Sequence, residues 1–320
     1  MSMNIVVLVT IPAQGQYYLK SLQERFPELN VKLFNNRDEA KAAVADADIL
    51  FAFGASLKAD FFENAPRLKW VHAMGTGVDG IVDSKHINKN VLVTSTRGIH
   101  GTPMSEAALM FMLTLARNFR RTLDQQAQQA WIRFFPQLLF GKTVGILGVG
   151  LIAEDLAPRC KALGMTVVGI SRSSRKPQGF DRIAPRDNLP AAVADLDFLV
   201  LLVPYEPETH HIVDERVLKA MKPTAFLVNI ARGGVIDEPA LIRALDEGWI
   251  AGAALDAFET EPLPKGHPMW TTKNVIVSPH MTGTWDGYMI ACFDQFSQNY
   301  RCFAAGQPDK MINREQFLPS

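Results

Sequence analysis

Three separated side chains, Arg232, Glu261 and His280, have the types and settings that proton and hydride chemistry on a small acid requires. Arg232 lies in LVNIARGGVIDE (227–238), Glu261 in LDAFETEPLP (255–264) and His280 in VIVSPHMTGT (275–284). A guanidinium can hold a carboxylate and polarise the carbonyl beside it. An imidazole can give or take that oxygen's proton, and a carboxylate can orient the imidazole and favour its charged form. Together they suit hydride transfer to a 2-keto acid, or from a 2-hydroxy acid in the reverse direction. Each also has a plainer reading alone. Arg232 could be a surface ion-pair residue, Glu261 a turn residue beside Pro262, and His280 a satisfied core histidine. The plainer reading suits His72, His86, His100, His210, His211 and His267 better, with some doubt for His100, which precedes a long helix.

A second chemical signal lies upstream in VGILGVGLIA (144–153). The apolar run predicts a strand entering Gly148-Val149-Gly150, and a helix must leave it. Gly148 permits a tight turn, Gly150 lets backbone approach a pyrophosphate, and the helix N-terminus offers N–H groups and positive dipole charge. Ala153 takes the third glycine position and is small enough for close packing. Pro158 falls inside the expected helix, where a kink is expected. The next strand ends in Ser171-Arg172-Ser173-Ser174-Arg175-Lys176 rather than in an acid. Hydroxyls and Arg172 can bind a ribose 2′-phosphate, which favours NADP(H), with NAD(H) as the alternative.

The elements that must position these residues alternate along the chain. Residues 5–9, 31–34, 49–53, 69–73 and 91–94 read as strands, and 16–26, 37–45 and 58–64 as helices. A helix follows over 103–120. Residues 123–140 (LDQQAQQAWIRFFPQLLF) then form a polar arm that turns aromatic, read as a projecting connection. A second alternating unit has strands at 143–147, 166–170, 198–203, 225–229, 252–255 and 275–277. Helices are expected at 152–163, 214–220 and 239–247, with a last one over 284–304. Strict alternation implies parallel sheets with helices on both faces, which is an α/β class.

Composition narrows the alternatives. Among 320 residues, 48 % are apolar and 21 % charged, which suits a soluble globular protein. Lys plus Arg equals Asp plus Glu, at 33 each, so no net field draws nucleic acid or an anionic membrane. Cys160, Cys292 and Cys302 show no metal-type spacing. The start lacks a basic segment and a long apolar core, and no run reaches transmembrane length. The expectation is a cytoplasmic protein without nucleic-acid, membrane or metal partners.

In this order, Gly75-Thr76-Gly77-Val78-Asp79, the Gly148 turn, Val203-Pro204-Tyr205-Glu206-Pro207-Glu208-Thr209, Asn229-Ile230-Ala231-Arg232-Gly233-Gly234, Asp256-Ala257-Phe258-Glu259 and Ser278-Pro279-His280 resemble the D-isomer-specific 2-hydroxyacid dehydrogenases. The Ser171-Arg172-Ser173 strand end resembles their glyoxylate/hydroxypyruvate reductase branch. The resemblance implies two Rossmann-like domains, flavodoxin-like and dinucleotide-binding, with a cleft between them. It implies a discontinuous substrate domain of residues 1–101 plus 285–320, and a dinucleotide domain of 102–284. Arg232, Glu261 and His280 match the catalytic positions, and Thr76 and Gly77 the loop that meets the substrate carboxylate. Gly148, Gly150, Leu151, Ile152, Ser171, Arg172, Ser173, Val203, Pro204, Ile230, Ala231, Asp256 and His280 match cofactor contacts, with Asp256 near the nicotinamide amide. A homodimer is usual in the family, and the apolar arm suits one. Two alternatives remain: a cofactor-binding, corepressor-like interaction protein, or an NAD-dependent dehydrogenase of a bulkier 2-hydroxy acid.

Overall fold

The computed structural model describes residues 2–54, 57 and 59–317. The chain divides into two units, residues 1–99 with 285–320 and residues 100–284. In the first, β1 (Asn4–Leu8), α1 (Pro12–Arg25), β2 (Asn30–Phe34), α2 (Arg37–Ala43), β3 (Ile49–Ala52), β4 (Trp70–Ala73) and β5 (Leu92–Ser95) follow in sequence. The second begins with α3 (Gly101–Ala116) and α4 (Phe119–Ala127). It continues with β6 (Thr143–Leu147), α5 (Leu151–Ala162), β7 (Thr166–Ser171), β8 (Arg182–Pro185) and α6 (Leu189–Val193). Then come β9 (Phe198–Leu201), α7 (Glu215–Ala220), β10 (Phe226–Asn229), α8 (Glu238–Asp246), β11 (Gly252–Leu255) and β12 (Val275–Val277). The last helix, α9 (Tyr288–Ala304), belongs to the first unit.

Both sheets are parallel throughout. The first has the order β2-β1-β3-β4-β5, and the second β12-β11-β10-β9-β6-β7-β8. Strands covered on both faces must be apolar on both, which is why β3, β9 and β10 read as unbroken runs and are buried at every residue. In the second sheet, chain order reverses between β6 and β9. Loops leaving the carboxyl ends of those two strands diverge there, the place where open α/β sheets receive ligands.

Most predicted strands fall within a residue or two of the observed ones, and the departures have local causes. The helix expected over 103–120 is two helices, α3 and α4, because Asn118 takes a left-handed conformation at φ +47° between them. α9 starts at Tyr288, four residues later than expected. Of the helix expected at 58–64, Lys58 lies outside the described residues, and a 3₁₀ turn occupies Ala59–Phe62. β8 and α6 had no counterpart among the predicted elements: both are short, and β8 is a half-exposed edge strand ending at Pro185. Pro158 does not interrupt α5, which runs through it as one helix. Gly179 packs against that proline: a Cβ there would sit 2.8 Å from the proline nitrogen, which carries no hydrogen to crowd.

The first unit is closed by α9. Phe296 is fully buried, stacks on Trp70 at 5.0 Å and on Phe51 at 4.6 Å between ring centroids, and so joins the C-terminal helix to β3 and β4. Removing that ring leaves a cavity bounded by two other aromatic rings. Phe296→Ala is expected to lower unfolding free energy by about 3–5 kcal/mol in chemical denaturation. A loss under about 1 kcal/mol would mean that α9 does not anchor this sheet.

Candidate active site

The residues singled out in the second unit stand on loops at the carboxyl edge of its sheet. The turn after β6 requires its glycine. Gly148 has φ +101°, and a Cβ there would lie 2.9 Å from the backbone of Leu202 and Val203. That contact brings the turns after β6 and β9 together at the point where strand order reverses. Gly150 has open space around its Cβ position and offers no side-chain cap to α5. Leu151 is exposed and Ile152 half-buried at that helix start. A bare helix N-terminus beside a glycine turn fits a pyrophosphate, and so a dinucleotide. Val203, Ile230 and Ala231 are buried at the adjoining strand ends, while Pro204 is exposed.

The strand end after β7 is shaped by its own hydroxyls. Ser171 Oγ accepts the Ser173 amide at 3.1 Å, and Ser173 Oγ accepts the Arg175 amide at 3.1 Å. The Arg175 guanidinium bonds Glu154 of α5 at 2.5 Å. Arg172 is exposed on the same turn. In the first unit, Thr76 and Gly77 lie on the loop after β4, where Thr76 Oγ1 donates to the Thr96 carbonyl at 3.3 Å.

His280 and Glu261 meet directly. His280 Nδ1 lies 2.7 Å from Glu261 Oε2, and both side chains are roughly one-third exposed. The other oxygen, Glu261 Oε1, accepts the Phe258 amide at 3.0 Å. Burial pushes the Glu261 carboxyl upward, but the hydrogen bond and charge of His280, the Phe258 amide and the nearby Arg232 outweigh it, so the net shift is downward. Arg232 follows β10, and its Nη1 donates to the Ala231 carbonyl at 2.8 Å. Gly233 allows the Arg232 turn to press on the Glu261 loop, since a Cβ would lie 1.8 Å from the Phe258 carbonyl carbon. A cation, a carboxylate and an imidazole therefore gather on three adjacent strand ends.

Several residues shape this arrangement through contacts that their motifs do not reveal. Asn229 is fully buried. Its amide donates to the Arg232 carbonyl at 2.9 Å and its oxygen accepts the Ala231 amide at 3.0 Å, which fixes the Arg232 turn. His100 feels Arg232 as well. Burial first, then the Arg232 charge, lowers it to about 4, so it is neutral near pH 7. Asp256 is only 1 % exposed. Its Oδ1 accepts from Ser278 Oγ at 2.5 Å and the Met281 amide at 2.9 Å. Its Oδ2 accepts from the Thr282 amide at 3.0 Å and Thr282 Oγ1 at 2.5 Å. Both oxygens are thus spent on the segment that carries His280, itself at φ +51°. Among the remaining histidines, His72 sits between Thr94 Oγ1 at 2.8 Å and Thr96 Oγ1 at 3.1 Å, and burial lowers it to about 3. It is a satisfied core residue.

A dinucleotide turn at the reversal of a parallel sheet, with acid–base residues on the same edge, marks the class of nicotinamide-dependent oxidoreductases. Comparison with known proteins gives the family. Residues 109–282 match the model for the D-isomer specific 2-hydroxyacid dehydrogenase NAD binding domain. A glyoxylate reductase of Thermococcus gammatolerans is 36 % identical, over 85 % of this chain and 84 % of that one. The crystal structure of a D-isomer specific 2-hydroxyacid dehydrogenase family protein from Aeromonas salmonicida matches with a TM-score of 0.85. It is 32 % identical and covers 99 % of this chain and 100 % of that one. An NADPH-dependent glyoxylate/hydroxypyruvate reductase from Sinorhizobium meliloti, crystallised with NADP and sulfate, matches with a TM-score of 0.84. It is 27 % identical and covers 98 % of each chain. The chain belongs to the D-isomer specific 2-hydroxyacid dehydrogenase family. Among the described residues, no helix is long and apolar enough to cross a membrane, and no group of His, Cys, Asp or Glu is arranged to hold a metal ion.

The His280–Glu261 contact makes a directional prediction for any reduction that takes its proton from His280. Such a reaction needs the imidazolium, so it fades as pH rises. The Glu261 carboxylate stabilises that cation, and Glu261→Gln keeps the shape while removing the charge. The upper limb of the pH–rate profile is expected to move to lower pH. An unmoved upper limb would show that the two residues are not electrostatically coupled.

Proposed function

We propose that this chain reduces small 2-keto acids, glyoxylate and hydroxypyruvate foremost, to 2-hydroxy acids with NADPH. The observation that carries the reading is the 2.7 Å His280–Glu261 pair on loops next to the Arg232 turn. Residues 102–284 act as the dinucleotide-binding domain, and residues 1–101 with 285–320 as the substrate domain. Arg232 holds the substrate through its carboxylate and keto oxygens, and the backbone of Thr76 and Gly77 receives the carboxylate. Bound NADPH supplies the hydride to C2 of the keto acid. Because Nδ1 of His280 is engaged by Glu261, Nε2 is the atom that delivers a proton to the developing alkoxide. Glu261 stabilises the imidazolium before that transfer and fixes the ring's orientation. The reverse oxidation uses Nε2 as the base.

The dinucleotide is held by Gly148, Gly150, Leu151 and Ile152 at its pyrophosphate, with Val203, Pro204, Ile230, Ala231 and His280 along the strand ends. Asp256 acts here through the His280 segment, since its oxygens already accept four bonds from it. Ser171, Arg172 and Ser173 receive the 2′-phosphate. Arg172 is the better placed cation, because Arg175 is paired with Glu154. The NADP bound by the Sinorhizobium meliloti relative supports the same choice. The unpaired thiols Cys160, Cys292 and Cys302 suit a reducing compartment, so we assign the reaction to the cytoplasm.

The decisive assay measures NADPH and NADH oxidation across a panel of 2-keto acids. Glyoxylate and hydroxypyruvate are expected to give the highest kcat/KM, and NADPH to exceed NADH. A charge-assisted hydrogen bond contributes about 1.5–3 kcal/mol, so Arg172→Ala is expected to raise the KM for NADPH by roughly 10- to 150-fold and to spare NADH. Equal loss with both cofactors would refute the phosphate role. Absence of turnover on every keto acid would refute the reading itself.

The arm after α4 supports a homodimer. Trp131 is 92 % exposed and Phe135 fully so, and Ile132, Leu138 and Phe140 are exposed beside them. So much apolar surface in one short span is characteristic of a covered interface. Sedimentation at micromolar concentration is expected to give a dimer, and Trp131→Glu with Phe135→Glu a monomer. A monomeric wild type would contradict this assembly.

A further inference from the structure

Glu238, the first residue of α8, is buried to 8 % exposure. Its Oε1 accepts the Glu259 amide at 2.7 Å, and its Oε2 lies 3.6 Å from His267 Nε2. A carboxylate kept from water costs free energy that an apolar side chain of similar size would not. Its helix already has a cap, since Asp237 Oδ1 accepts the Ala240 amide at 3.0 Å. The bonding instead points outward, into the loop after β11.

Two consecutive amides of that loop face two different carboxylates. The Phe258 amide donates to Glu261, and the Glu259 amide donates to Glu238. Gly233 leaves less than a methyl group's room beside the same peptide, with its Cβ position 2.2 Å from the Glu259 nitrogen. The Phe258–Glu259 peptide is thus held by both the Arg232 turn and Glu238, two residues before Glu261. The Glu259 side chain is tied separately, by its 2.5 Å contact with His211.

We propose that Glu238 is a positioning residue: it fixes the Glu261 loop and thereby the aim of Glu261 at His280. The proposal rests on the functional reading above, in which that pair serves proton transfer. Glu259, Glu261 and His267 face Glu238, and Arg243 lines the same surface depression. The acceptor oxygen is what matters, so glutamine in its place preserves the tie and alanine breaks it.

Glu238→Ala and Glu238→Gln are compared with wild type in three measurements. Hydrogen exchange over 258–261 reads the tie without turnover, steady-state kinetics read its consequence, and thermal unfolding confirms that each variant is folded. Glu238→Ala is expected to exchange faster in this loop and to lose kcat by up to about 100-fold, the scale of a small misplacement of reacting groups. The KM for NADPH is expected to hold. The upper limb of the pH–rate profile is expected to move to lower pH, as Glu261 ceases to stabilise the imidazolium. Glu238→Gln is expected to restore loop protection, kcat and the profile. Unchanged exchange or turnover in folded Glu238→Ala overturns the proposal. So does a glutamine variant as impaired as the alanine one. A wild type inert towards 2-keto acids instead refutes the functional reading, and exchange still decides whether Glu238 holds the loop.

Discussion

The hydrogen bond between His280 and Glu261 joins two loops, not two strands, so its geometry depends on whatever holds those loops. Buried polar side chains do so. Asp256 collects four donors from the segment that carries His280, and Asn229 spans the Arg232 turn with one donor and one acceptor. Such networks are worthwhile only when every member is satisfied, because a buried carboxylate without partners is strongly unfavourable. The outcome is an imidazole and a carboxylate fixed in register while both keep access to solvent.

The parallel sheet explains why these loops can converge. Every strand of the second sheet points the same way, so every loop leaving a carboxyl end arrives on one edge. Glycine then sets the spacing between them. Gly148 brings the dinucleotide turn against the backbone after β9, and Gly233 brings the Arg232 turn against the backbone before Glu261. At either position a Cβ would lie within 3 Å of main-chain atoms, which have little freedom to yield. The same two contacts set the spacing of the Gly148, Arg232 and Glu261 loops along one stretch of sheet edge.

Much of this was legible in the sequence because it follows from periodicity and local residue choice. Buried parallel strands are short apolar runs, and a strand, a glycine turn and a helix announce a dinucleotide site. The types of Arg232, Glu261 and His280 suggested the chemistry proposed for them, and the structure brings Glu261 and His280 within 2.7 Å of each other. Contacts across long separations were not legible. Asp256 matched a cofactor contact by resemblance, yet its bonds run to residues 22 to 26 positions later. Glu238 looks like any acid in a helix's first turn, where the dipole alone justifies it. The break at Asn118 depends on one left-handed residue that the apolar pattern of α3 and α4 does not reveal.

If Glu261 and His280 act as one unit in proton transfer, a double-mutant cycle on kcat for glyoxylate reduction reads their coupling. His280→Ala alone is expected to cost roughly 10²–10⁴-fold. Glu261→Gln is expected to cost far less in the His280→Ala background than in wild type, because its partner is already gone. Additive losses, with Glu261→Gln equally damaging in both backgrounds, would contradict the account.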